Sequence, residues 1–139
     1  MKCVTAQSLL PLLSKLTKPI QAGDLEFGDA KRVENLVGTN CGKIHSSTYG
    51  LTQPMSPHAA AKIDAVEIQL DRFKIPKTEN DLIIEGAGGL LVPLNEQQTI
   101  MDLVSQLNVP LILVLGTYLG SINHSLLSTL FNCCCAFHI

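Results

Sequence analysis

Three charged residues stand where an α/β protein places its chemistry. Glu85 closes the apolar run Leu82-Ile83-Ile84 and is followed by Gly86-Ala87-Gly88-Gly89. A carboxylate directly after a buried strand can hold Mg2+, or its water shell, beside a nucleotide. Glycines after it let the backbone approach a phosphate with no Cβ in the way. On spacing alone, Glu85 reads equally well as a polar strand end before a tight turn. Lys18, in Thr17-Lys18-Pro19, can hold a carboxylate, carbamate or phosphate as a point charge, although a lone lysine is more often a solvated surface residue. Asp29 begins a helical pattern and fits a plain N-cap as well as a ligand. If Lys18 and Glu85 end parallel strands and the helix start at Asp29 lies beside them, the three converge on the edge where such sheets bind ligands.

Other candidates are weaker. His58 falls in the first turn of a helix and reads as structural. Cys133-Cys134-Cys135 with His138 suggests a metal site, but three consecutive cysteines cannot easily face one ion, and the spacing fits no zinc pattern.

The elements that must position these residues follow from apolar spacing and turn residues. Residues 4–16 read as a helix, with Pro11 in conflict inside it. Residues 17–21 read as extended, and a helix starts at Asp29, with Ala30, Val33, Leu36 and Val37 on one face. Residues 38–55, rich in Gly, Ser, Thr and Asn, read as loop. Ser56-Pro57 suits a helix start, and Ala59, Ile63, Val66 and Leu70 form its expected buried stripe. Leu82–Ile84 and Pro110–Leu115 read as neighbouring central strands, being apolar throughout. Thr99 and Asp102 match a capping box before Ile100, Leu103, Val104 and Leu107. Residues 122–131 read as a last helix. Strand and helix alternate, so the fold class is α/β with a mostly parallel sheet flanked by helices.

Composition narrows the function. The chain has 139 residues, 46% apolar and 16% charged, enough for one aliphatic core. Its net charge of −2 with no basic stripe argues against nucleic-acid binding. No apolar run reaches the roughly 18 residues of a membrane span. The five cysteines form no spaced disulfide framework, so a cytoplasmic setting is expected.

Several strings together are more specific than any one of them: Lys18-Pro19, Asp29-Ala30, Pro54-Met55-Ser56-Pro57-His58-Ala59-Ala60-Ala61, Glu85-Gly86-Ala87-Gly88-Gly89, and Gly116-Thr117-Tyr118-Leu119-Gly120-Ser121-Ile122-Asn123-His124. In kind and order they resemble the dethiobiotin synthetase family, whose fold is P-loop NTPase-like. The resemblance implies an ATP-dependent ligase of biotin biosynthesis. Such an enzyme converts 7,8-diaminononanoate and CO2 to a carbamate, phosphorylates it with ATP, and closes the ureido ring with release of ADP and phosphate. It further implies that Lys18 is catalytic, that Asp29 and Glu85 bind Mg2+ and ATP, and that Gly86, Ala87 and Gly88 line the nucleotide. Ala22, Gly120, Ser121, Ile122 and Asn123 would meet the substrate, and the enzyme would be a homodimer with no nucleic-acid or membrane partner.

The chain also departs from that pattern. Met1-Lys2-Cys3-Val4 stands where the family has its glycine-rich phosphate loop, and Ala22 stands where the family usually has Ser or Thr. The expectation is a fold incomplete at both ends: residues 1–131 as a partial family domain, residues 132–139 as an unrelated tail, and poor turnover for the chain as written. The alternatives are a non-catalytic remnant acting as a binding or dimerising module, and a related P-loop amidoligase or partition-type ATPase.

Overall fold

Alternation along short strands decides which side chains meet. In a computed structural model, the structure describes residues 15–37, 43–78 and 81–134. The elements in chain order are β1 (Lys15–Thr17), β2 (Ile20–Ala22), α1 (Asp29–Val37), β3 (Lys43–His45), β4 (Tyr49–Leu51), α2 (Pro57–Ile63), β5 (Leu82–Ile84), α3 (Ile100–Leu107) and α4 (Ser121–Cys134), with a 3-10 turn at Leu70–Arg72. Among the described residues the strand ladders are all parallel, beside one isolated antiparallel bridge between Pro93 and Thr99. One sheet has the order β3-β1-β5, and β2 pairs with β4 in a second. The gap between β1 and β2 is Lys18-Pro19. Proline has no N–H to give a ladder, but the Pro19 carbonyl accepts from Thr48 N at 2.9 Å and Tyr49 N at 3.1 Å, which carries the pairing across the gap.

Two cores result. The larger gathers Ile20, Tyr49, Leu51, Ala60, Leu94 and Ile100 among others. The smaller packs Leu16 against Val33 of α1, with Ile44 and Ile83 beside them. Successive strand residues face opposite ways, so Leu16 and Ile83 lie under α1. Thr17 and Ile84 turn to the other face, where they line a shallow groove with Phe73 and Leu107.

Parallel strands separated by helices agree with the sequence reading, and so do β5, α1, α3 and α4. Four details differ. Residues 15–16 belong to β1 instead of a helix, because pairing Leu16 between Ile44 and Ile83 outweighs local helical spacing; residues 4–14 lie outside the described residues. The stretch expected to be loop contains β3 and β4, whose three-residue length leaves little periodicity to read. The α2 stripe is also corrected: the helix buries Pro57, Ala60 and Ala61, and Ile63 is 59% exposed. It stops there because the Asp64 carboxylate accepts from Thr52 N at 2.7 Å, and Ala65 takes a left-handed φ of 53°. Finally, Pro110–Leu115 forms no strand, and β5 is an outer strand of its sheet. Ile112 is 68% exposed. An apolar run signals a tendency to be buried, but it cannot supply the neighbouring edge that a strand needs.

The expected capping box is present. The Asp102 carboxylate accepts from Thr99 N at 2.6 Å and Thr99 Oγ1 at 2.7 Å, and these bonds hold its carboxyl below the usual range. Ser56, by contrast, sits at the N-cap of α2 without a capping side-chain bond. Asp102→Ala is therefore expected to cost about 1 kcal/mol in urea unfolding, and Ser56→Ala clearly less. Equal costs would contradict this assignment. Among the described residues, no helix is long and apolar enough to cross a membrane.

Candidate functional site

The alternation that buries Leu16 and Ile83 beneath α1 carries Lys18 and Glu85, two residues further on, to the same side of the sheet. Glu85 N donates to Thr17 O at 2.9 Å, extending the β1–β5 ladder to the point where both side chains leave it. Asp29, the first residue of α1, completes the group. Lys18 Nζ is ion-paired to Asp29 Oδ2 and lies 3.9 Å from Glu85 Oε1. The structure thus brings together three residues far apart in sequence, each at the end of its element.

The environments of the two acids differ. Asp29 is partly open, and its Oδ1 faces Arg32 Nη1 at 4.0 Å. Glu85 is only 7% exposed, and its Oε2 has no hydrogen-bond partner. Burial pushes the Glu85 carboxyl above its ordinary value; Lys18 pulls it back down, and the charge of Asp29 adds to the rise. An unsatisfied, buried carboxylate oxygen costs free energy and is suited to a cation.

After Glu85 the chain makes a turn that positive φ and crowding fix. Gly88 has a φ of 91°, and a Cβ there would fall 2.9 Å from Val92 Cγ2. Gly86 is under no such constraint, since a Cβ would meet Ile100 Cγ2 at an ordinary 3.5 Å. The loop is then tied to α3: Ile100 N donates to Val92 O at 3.0 Å, and Met101 N to Leu90 O at 2.9 Å. Gly88→Ala is expected to destabilise the chain by about 1–2 kcal/mol, the cost of left-handed backbone for a residue with a Cβ, whereas Gly86→Ala changes stability by less than half as much. Chemical unfolding of the two variants checks this, and equal effects would remove the special role given to Gly88.

The remaining candidates are placed separately. Ala22 ends β2, paired with Leu51 of β4. Gly120, with a φ of 91°, precedes α4, where Ser121 N is already used by Tyr118 O at 2.9 Å. Ile122 and Asn123 are exposed. Among the described residues, the ion pairs of Lys18, Asp29 and Glu85 involve one another and Arg32 but not Gly120–Asn123. His58 is exposed, and its backbone N–H donates to Pro93 O at 3.3 Å. The cysteine cluster with His138 lies outside what the structure describes of side chains. Arg32 was not singled out from sequence, although its spacing of three from Asp29 on a helix is a recognisable pairing distance.

A magnesium ion fits this group as far as its donors go. No cluster of three or more metal-binding side chains occurs among the described residues. Mg2+ commonly uses only one or two carboxylates and keeps waters or phosphate oxygens as its other ligands. Asp29 and the unsatisfied Glu85 Oε2 supply that number.

The family model described as "AAA domain" matches residues 2–131. An ATP-dependent dethiobiotin synthetase of Christiangramia forsetii is 53% identical over 111 residues, covering 80% of this chain and 53% of the relative. One of Cytophaga hutchinsonii is 50% identical over 112 residues, covering 80% of this chain and 54% of the relative. The chain spans about half the length of the curated relatives it matches. Since the family match takes in nearly all of its residues, the chain belongs to the AAA domain family, and its sequence is similar to those of ATP-dependent dethiobiotin synthetases.

Proposed function

We propose that this chain carries the ring-closing site of an ATP-dependent dethiobiotin synthetase, residues 1–131 being the part that belongs to that domain. The observation that carries the reading is the meeting of Lys18, Asp29 and Glu85 at the carboxyl edge of a parallel sheet, in a chain 53% identical to such an enzyme over 111 residues. One amine of 7,8-diaminononanoate takes up CO2 as a carbamate and loses a proton. ATP transfers its γ-phosphoryl group to the carbamate oxygen, and ADP leaves. The second amine attacks the carbonyl carbon and gives up a proton, the C–O bond to phosphate breaks, inorganic phosphate leaves, and the ureido ring closes.

Lys18 holds the carbamate and then the charge that builds on the transferred phosphoryl group. A compact ammonium on a flexible stem suits a charge that moves during the reaction. Most of the catalysis is positioning and charge neutralisation. Asp29 and Glu85 are the residues that would hold magnesium, which when bound neutralises phosphate charge. Gly86, Ala87 and Gly88 line the nucleotide, with Gly88 setting the turn. Gly120, Ser121, Ile122 and Asn123 meet the substrate carboxylate at the start of α4, and Ala22 lies on the substrate side without a hydroxyl. The working protein is a cytoplasmic homodimer in this reading.

The test is a graft in which the 111 aligned residues of this chain replace their counterpart in the Christiangramia forsetii enzyme. Supplied with diaminononanoate, bicarbonate, ATP and Mg2+, the graft is expected to form dethiobiotin and ADP in equal amounts. A folded graft that releases neither would refute the proposal.

A further inference from the structure

Arg32 belongs to none of the strings that carry the family resemblance, yet it reaches the site. It lies one turn after Asp29 on α1. Lys18 is paired with Asp29 Oδ2, and Arg32 Nη1 stands 4.0 Å from the other oxygen, Oδ1. The other guanidinium nitrogen is engaged elsewhere: Nη2 is 3.2 Å from Asp24 Oδ2. Asp24 presents that carboxylate from an anchored turn. Its own φ is 49° and that of Gly23 is 70°, and a Cβ on Gly23 would fall 2.6 Å from Pro54 Cβ. Gly23 N donates to Leu51 O at 2.8 Å, and Gly23 O accepts from Gln21 Nε2 at 2.8 Å. Asp24, Arg32, Asp29, Lys18 and Glu85 therefore form one row of alternating charge.

To meet an anion, Lys18 must loosen its hold on a carboxylate. Asp29 is the one with a second cation beside it. We propose that Arg32 is a positioning residue that takes over Asp29 when Lys18 turns to its anionic substrate, giving up Asp24 in exchange. The proposal rests on the reading of Lys18 as the substrate-binding lysine. The movement is small: closing the 4.0 Å gap to hydrogen-bond distance needs about 1 Å. A guanidinium suits the task because its forked donors already face both carboxylates, so a small shift moves its hold from Asp24 to Asp29. While magnesium is absent, a released Asp29 has no cation without Arg32, so Lys18 stays with it and the anion binds less well. Asp24 competes for Arg32, so removing its charge should favour the anion.

The experiment follows inorganic phosphate binding to the 139-residue chain without magnesium, through amide NMR shifts around Lys18 and Glu85. Arg32→Ala is expected to weaken phosphate binding about fivefold, the scale of one exposed ion pair. Arg32→Lys should recover most of that loss, and Asp24→Asn should tighten binding up to about twofold. In the graft, Arg32→Ala should raise KM more than it lowers kcat. A role confined to tethering the Gly23–Gly28 turn would make Asp24→Asn and Arg32→Ala equally harmful, and that result overturns the proposal. So does unchanged phosphate affinity in Arg32→Ala, or a parent chain that binds no phosphate at millimolar concentration. Phosphate binding that responds as expected, beside a graft that forms no dethiobiotin, would support the role of Arg32 and reject the synthetase reading.

Discussion

Replacing Lys18 with Ala is expected to lower ring closure by the graft about 10²–10³-fold, the cost of losing one positioned donor to transition-state charge. Lys18 is the cation that contacts both acids of the group, so no neighbour stands in the same place. Arg32 reaches only Asp29 and is held by Asp24. Lys18→Arg should not restore the rate, because a planar fork does not fill the position of a compact ammonium. The loss should appear mainly in kcat, since the lysine is proposed to act on charge that develops during the reaction. Removing one member of a buried ion pair also destabilises a protein, so activity must be compared at temperatures where the melting curves show both variants folded. Turnover by Lys18→Ala within tenfold of the parent would take catalysis away from this residue.

Glu85→Gln is expected to make the chain more stable at neutral pH and to cut ring closure about a hundredfold. The first effect follows from linkage. Burial raises the carboxyl above its ordinary value of 4.5 in the folded chain, so in the window just above 4.5 the folded state binds more protons than the unfolded state. Stability then falls as pH rises. It is greatest below 4.5, declines as pH climbs through the raised folded value, and levels off above it. Glutamine has no proton to lose and removes that slope. The gain at pH 7 should be on the order of 1 kcal/mol, read from urea unfolding at several pH values. A steeper slope in Glu85→Gln, or a less stable variant at pH 7, would show that Lys18 stabilises the carboxylate by more than burial costs. The opposed changes in stability and rate would mark Glu85 as a residue retained for binding a cation at some cost to the fold.

How much of this was legible in the sequence depended on how far the deciding contact reached. Glu85 was legible because an apolar run ending in a carboxylate and glycines needs no distant information. Lys18 and Asp29 were not legible from their own surroundings, where each fits an ordinary surface lysine or helix cap; they were singled out by the resemblance carried by the motifs around them. The capping box at Thr99 and Asp102 spans only three residues and was readable directly. β3 and β4 were not, because three residues each give no period and their partners lie some thirty residues away in β1 and β2. Pro110–Leu115 misled for the converse reason: its composition suits a strand, but no described strand pairs with it. Arg32 escaped notice because an exposed arginine on a helix is ordinary until Asp24 and Asp29 are seen on either side of it.

The stretch from Lys15 to Ala22 carries a constraint on length that differs from its constraint on composition. Leu16 packs beneath α1, Thr17 faces the groove, and Lys18 returns to the α1 side, with β1 held in register between β3 and β5. Many substitutions would leave that order intact. Losing or gaining one residue before Lys18 would not, since a single step turns every side chain to the opposite face. The ammonium would enter the groove beside Phe73 and Leu107, away from its acids, and a different side chain would stand among the carboxylates. Drift in this segment should therefore proceed by exchange of residues and almost never by insertion or deletion.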